Sequence, residues 1–162
     1  MLFRSYIRDV RITTIYEGTT GIQSNDLIGR KIGRDGGAVM NLLLADMSRE
    51  LEGLEATDPA TTVTLGAALE SVGLLKAATQ ALLQALSSRP DAAMAVAVPY
   101  LMLCGYVMGG WLLAKSAVIA ANSSTGPDRS FYESKIHTAR FYASQVLPNA
   151  LALAREIGRA HV

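Results

Sequence analysis

Between Asp91 and Lys115 the chain carries no charge: "AAMAVAVPYLMLCGYVMGGWLLA". No other segment constrains the fold as strongly, because an apolar run of this length must be shielded from water. Two environments accept it. One is a bilayer, which it is long enough to span, and Gly105 and Gly109 supply the GxxxG spacing of close membrane helix pairs. The other is the centre of a helical bundle, where alanine and glycine also let neighbouring helices approach. The Ala/Gly content and Pro99 keep the hydropathy modest, and no Lys/Arg cluster marks a cytoplasmic flank. Those features favour the buried bundle helix.

Four breakers divide the rest: "GRDGG" at 33–37, "ATDPATT" at 56–62, "SSRPD" at 87–91 and "NSSTGPDRS" at 122–130. Each mixes Gly, Pro, Ser or Asp, the chemistry of loops. The segments between them show helical spacing. From Gly37 to Glu55, Val39, Leu42, Leu43, Met47, Leu51 and Leu54 share one face, with Asp46, Arg49, Glu50 and Glu52 opposite. Leu65, Leu69, Val72, Leu75, Leu82, Leu83 and Leu86 form a second stripe, behind Pro59 and with Thr61 or Thr62 as cap. The uncharged run is the third helix, with Pro90 in its first turn. Ile136, Ala139, Ala143, Val146, Ala150, Leu153 and Ile157 form the fourth, and Pro148 predicts a kink in it. No stretch alternates like a strand. The expected fold is all-α: an antiparallel four-helix bundle preceded by a short helical segment.

Composition excludes several function classes. The formal net charge of +1 offers no basic excess for nucleic acid and no acidic tail. One cysteine, Cys104, permits no internal disulfide. "MLFRSYIRDV" reads as neither a signal nor a transit peptide, its apolar run being short and interrupted by Arg4, Arg8 and Asp9. His137 has no carboxylate or second histidine at ligand spacing, so no metal is expected, and His161 sits in a terminal tail. Cys104 reads as an inert core thiol. Trp111, Tyr100 and Tyr106 read as core, and Phe131, Tyr132, Phe141 and Tyr142 as helix packing.

The chemistry-bearing stretch is "IYEGTTGIQ" at 15–23, where a lone carboxylate runs into a Gly/Thr turn. Such a turn opening a helix presents free backbone N–H groups and hydroxyls, suited to an acceptor-rich ligand or simply to capping by Thr19 or Thr20. The helix continues to Arg30 and Lys31, which favour the negative end of its dipole, and Gly33 is the expected stop. Flanked by Ile15 and Tyr16, a desolvated Glu17 would have its pKa raised toward the range of a working base.

"YIRDVRITTIYEGTTGIQSNDLIGRKIGRDGG" closely resembles the end of the catalytic helical domain of flavin-dependent acyl-CoA dehydrogenases. "VPYLMLCGYVMGGWLLAKSA" and "FYESKIHTARFYASQVLP" look like the extra helical bundle of the larger, long-chain-type bacterial members. The resemblance implies that residues 1–36 end a catalytic domain and 37–162 form an appended bundle. Glu17 then matches the base that removes the α-proton of an acyl thioester, while the β-hydrogen leaves as hydride to FAD. Gly18 matches the backbone against the substrate thioester. Thr19, Thr20 and Gly21 match the turn that meets FAD, and Gln23 matches a flavin or subunit contact. Arg8 and Asp9 match a pair that holds the turn. The implied partners of the complete enzyme are acyl-CoA and an electron-transfer flavoprotein, in the cytoplasm. Separately, the apolar surface that severed helices would expose predicts a homo-oligomer. Because the family's β-domain and first catalytic helices would lie upstream of the turn, the chain by itself is expected to be inactive. The alternative is a helical oligomerisation module without catalysis.

Overall fold

The computed structural model describes residues 7–15, 18–123 and 126–159. Among them every regular element is helical and no strand occurs, in agreement with the expected bundle. Helix α1 (Thr20–Asn25) runs on through a π-helical stretch (Asp26–Ile32) and a 3-10 turn (Gly33–Asp35). Then follow α2 (Ala38–Glu52), α3 (Pro59–Ser88), α4 (Pro90–Ala95), α5 (Ala97–Asn122), α6 (Arg129–Phe141) with its π-helical extension (Tyr142–Val146), and α7 (Asn149–Arg159).

Proline chemistry explains two differences from the expected helices. The uncharged run is split at Val96 rather than continuous. Pro99 has no N–H for the carbonyl of Ala95 and its ring crowds that carbonyl, so the helix restarts with Pro99 in the first turn. Pro148 breaks the fourth stripe instead of kinking it. The backbone widens before it, Leu147 N–H reaching Tyr142 O at 2.9 Å, and α7 begins afresh after it.

Caps also differ from expectation. Pro59 lies inside α3 as its first residue, and Asp58 is the cap. Its carboxylate accepts from Ala60 N–H at 2.9 Å and Thr61 N–H at 3.1 Å. The Thr61 hydroxyl also bonds it, and these bonds hold the Asp58 pKa below the ordinary carboxylate value. An Asp-Pro start combines the best cap acceptor with the residue that gives up no useful N–H. The segment before α2 stops at Gly36, not Gly33. Gly36 and Gly37 both take the left-handed conformation, at φ 63° and 79°. Asp35 closes this joint, its two carboxylate oxygens accepting from Gly37 N–H at 3.0 Å and Val39 N–H at 3.1 Å.

Among the described residues one continuous core joins α2, α3, α4, α5 and α7, and it includes Ile28 and Ile32 from the π-helical stretch ahead of the bundle. Leu44, Met47 and Leu51 of α2 meet Val72, Leu75 and Leu82 of α3 and Leu103 and Val107 of α5 within it. Each such side chain contributes about 1.5–3 kcal/mol by leaving water. The α2 face is rotated from the expected one: Met40 and Leu44 point inward, whereas Val39 and Leu42 stay 68% and 66% exposed. At the α3–α5 contact, Thr79 donates its hydroxyl to Leu75 O at 2.8 Å. Its proton thus committed, Thr79 accepts from the phenol of Tyr100, also at 2.8 Å, and both residues are fully buried.

The GxxxG glycines serve this packing unequally. A Cβ on Gly109 would fall 2.4 Å from the Tyr142 hydroxyl, which donates to Tyr106 O at 3.1 Å. A Cβ on Gly105 would meet open space. α5 is the one described helix long and apolar enough to cross a membrane. Its inner side lies on α3, α6 and α7, while Val98, Met102, Leu112 and Ile119 remain exposed. Phe131 and Phe141 are exposed as well, so they do not supply the helix packing expected of them. Tyr132 stands edge-on to Phe131 at 5.6 Å.

Candidate active-site turn

Residues 7–10 are helical and tighten into a 3-10 turn at Arg11–Thr14. Tyr16 and Glu17, the expected base among them, lie outside the described residues. The chain is described again from Gly18, at φ 71°, a conformation that glycine adopts without the strain a side chain would bring. A Cβ there would touch nothing, so the requirement is for a turn direction and not for room.

Thr19 sits at the N-cap of α1, but its hydroxyl caps nothing, contrary to the capping role expected of it or of Thr20. Its backbone is near-helical (φ −93°, ψ −4°) instead of extended, and that aims the side chain away from the next N–H groups. The Thr19 carbonyl accepts from Gln23 N–H at 2.9 Å. Among the described residues neither the Thr19 nor the Thr20 hydroxyl has a partner, and the space over Gly21 is open. Among the described residues, the turn therefore presents two unused hydroxyls and an uncrowded backbone edge. Hydroxyls and backbone N–H groups of this kind can donate hydrogen bonds to an acceptor-rich ligand. Gln23 is exposed on the same short helix.

The turn is mounted on the bundle from below. Ser24 is fully buried and donates to Gly21 O at 2.8 Å. Ile28 and Ile32, one and two turns further on, enter the core, and α1 packs on α5. On the outer face Asp26 pairs with Arg30 and, at 3.9 Å, with Lys31. The Arg30 guanidinium holds the Asp26 carboxylate below its ordinary pKa. Arg8 and Asp9 are exposed and make no ion pair among the described residues. Ser24 and Asp35 are the supporting residues that sequence reasoning passed over. Asp35 had a local signal, an Asp two residues before a Gly that opens a helix. Ser24 had none.

Elsewhere the candidate groups are quiet. Cys104 is buried, and desolvation pushes its thiol up to about 12. Burial also raises the Tyr100 phenol. His137 is exposed on α6, and no three His, Cys, Asp or Glu residues converge on a metal-sized site among the described residues. His161 lies outside those residues.

Residues 43–161 match the family described as "Acetyl-CoA dehydrogenase C-terminal like". The chain belongs to this family. It is similar to the 3-methylmercaptopropionyl-CoA dehydrogenase of Ruegeria pomeroyi, with 41% identity over 144 residues, 88% of this chain and 24% of the relative. It is also similar to the broad-specificity linear acyl-CoA dehydrogenase FadE5 of Mycobacterium tuberculosis, with 34% identity over 161 residues, 94% of this chain and 26% of the relative. The chain thus spans about a quarter of the length of the curated relatives it matches, and it corresponds to the C-terminal region of an acyl-CoA dehydrogenase. The second alignment covers enough of the chain to reach ahead of residue 43, into the segment that carries the turn.

Proposed function

We propose that this region supplies the catalytic base and part of the FAD contact for α,β-dehydrogenation of acyl-CoA thioesters. The observation that carries the reading is the turn itself. A left-handed Gly18, two threonine hydroxyls without a partner among the described residues and an open Gly21 backbone lead into a helical segment anchored in the core by Ile28. In this reading Glu17 takes the α-proton as the C–H bond breaks, and the electron pair left behind forms the new C=C bond. Bound FAD supplies the acceptor for the β-hydrogen, which departs with its electron pair as hydride, so the thioester becomes a trans-2-enoyl-CoA. Gly18 places its backbone against the thioester, where a hydrogen bond to the carbonyl would stabilise the developing enolate. Thr19, Thr20, Gly21 and Gln23 position the cofactor. Residues 1–36 close the catalytic domain and 37–162 form the appended bundle, which works in the cytoplasm as part of a homo-oligomer. Acyl-CoA is the substrate and an electron-transfer flavoprotein takes the electrons.

The test is Glu17→Gln in the full-length dehydrogenase that carries this region. Turnover of acyl-CoA with an electron acceptor should fall at least a thousandfold while the flavin absorption band is kept. Unchanged turnover would sink the assignment. The chain alone should be colourless after incubation with FAD and desalting, and should not turn over.

A second reading has its own observation. Val98, Met102, Leu112 and Ile119 leave one face of α5 exposed and apolar, as a helical association module would. A chain that associates through this face and shows no activity within the full-length protein would favour that reading.

A further inference from the structure

The open face of α5 follows a stricter pattern than amphipathicity alone requires. Val98, Met102, Gly105, Leu112, Ser116 and Ile119 are exposed along it. With Gly109, which is partly exposed, they follow one another at intervals of 4, 3, 4, 3, 4 and 3 residues. That is the heptad spacing of a seam along which a second helix packs. The seam is about 32 Å long at 1.5 Å per residue. No residue between Asp91 and Lys115 bears a charge, and the hydroxyl of Ser116 is spent on Leu112 O at 2.7 Å. A Cβ on Gly105 would meet open space, so near its middle the seam is only glycine-deep and admits a closely packed helix.

A second exposed surface shows where such a helix comes from. All of residues 7–15 are exposed, Ile7, Val10, Ile12 and Ile15 among them, and none joins the core. Residues 7–10 are helical, and a single turn of helix does not persist alone in water. The segment therefore packs on a body other than the bundle. α1 connects the two surfaces: it follows this segment in sequence, packs on α5 and leaves Ile22 70% exposed. In the two curated relatives about three quarters of the polypeptide lies outside the matched region, and this chain corresponds to the C-terminal region, so that part precedes it. We infer that the open face of α5 seats an apolar helix from the preceding part of the same dehydrogenase, the body that also covers residues 7–15. The inference rests on family membership and not on the role of Glu17, and its test needs neither flavin nor turnover.

Thiol labelling of the full-length dehydrogenase that carries this region, and of the purified chain, tests this with Met102→Cys, Leu112→Cys and Ile119→Cys. Cys104 stays silent because it is buried. The rate at each position is read by mass spectrometry of its peptide, relative to the same protein unfolded in urea. All three positions should react readily in the chain and at least tenfold more slowly in the full-length protein. Gly105→Leu gives a second measure, of opposite sign in the two proteins. In the chain its side chain enters open space and replaces a poor helix former, so the Tm should rise by about 1–3 °C. In the full-length protein it wedges the seam apart, so the Tm should fall by at least about 4 °C. Equal labelling of the two proteins, or a higher Tm in both with Gly105→Leu, would overturn the inference. Protection already present in the chain and lost on dilution would assign the face to a second copy. Protection of the full-length protein that disappears when its subunits separate would assign it to a neighbouring subunit. Either result overturns the inference as well.

Discussion

Replacing Gly37 by alanine adds one methyl group at the joint between the turn-bearing segment and α2. Two costs follow from the structure. The left-handed backbone, φ 79°, costs an L-residue about 1–2 kcal/mol. Alanine returns about 0.4–1 kcal/mol by restricting the unfolded chain. The new Cβ would also lie 2.7 Å from one Leu83 methyl and 3.2 Å from the other, so Leu83 must leave its rotamer at about 0.5–1.5 kcal/mol. The sum is about 2 kcal/mol. Gly36 is the internal control, since it is equally left-handed at φ 63° but a Cβ there meets nothing. Gly36→Ala should cost about 0.5–1 kcal/mol, the backbone part alone. Thermal melts followed by circular dichroism should show Gly37→Ala lowered by about 4–8 °C and Gly36→Ala by about 1–4 °C, at about 2–4 °C per kcal/mol for a chain of this size. In a Leu83→Ala background the two glycine substitutions should become equivalent, a coupling of about 1 kcal/mol between residues 37 and 83. Equal costs for the two glycines with Leu83 present, or no relief on truncating it, would refute the claim that close approach and not conformation alone demands glycine at 37.

Asp58→Ala should destabilise α3 by about 1 kcal/mol in urea titrations at neutral pH. The folded Asp58 pKa is depressed, so this stabilisation is complete above the ordinary carboxylate pKa and disappears as pH falls through the lowered folded value. The gap between the wild-type chain and Asp58→Ala should therefore close in acid, whereas the cap supplied by Asp58→Asn should not vary with pH. Tyr100→Phe removes the bond to Thr79 at the α3–α5 contact and should cost about 1 kcal/mol in the same titrations, with no loss of helix content. Cys104, its thiol pushed up to about 12 and buried, should resist iodoacetamide at pH 8 in the folded chain and react on unfolding; rapid labelling of the native chain would show that α5 opens locally.

Most of the helices were legible because their causes are local. Gly, Pro and Asp clusters interrupt hydrogen-bonding ladders wherever they occur, and apolar spacing at 3 and 4 residues survives any tertiary arrangement. Gly18 was legible as a turn residue for the same reason. What failed locally depended on which of several competent residues acts. Asp58 displaced Thr61 and Thr62 as the cap because Pro59 sets the first helical residue and leaves the carboxylate facing the free N–H groups. Pro148 broke its helix because a π-helical widening and the seating of Leu147 over Gly110 let the chain restart as α7.

By itself the sequence determined an all-α chain, the placing of its breaks, and a Gly/Thr turn behind a lone carboxylate. Tertiary structure alone decided which apolar face turns inward. In α2 both Val39 and Met40 are apolar, and only the position of α3 and α5 buries Met40 and leaves Val39 in solvent. It also decided that Gly109 is filled by Tyr142 while Gly105 stays open, although the two belong to one motif. And it buried Ser24, whose local bond to the Gly21 carbonyl is shielded from water where α1 packs on α5. Periodicity is a property of one helix, whereas burial is a property of its neighbours, and that is why the first could be read along the chain and the second could not.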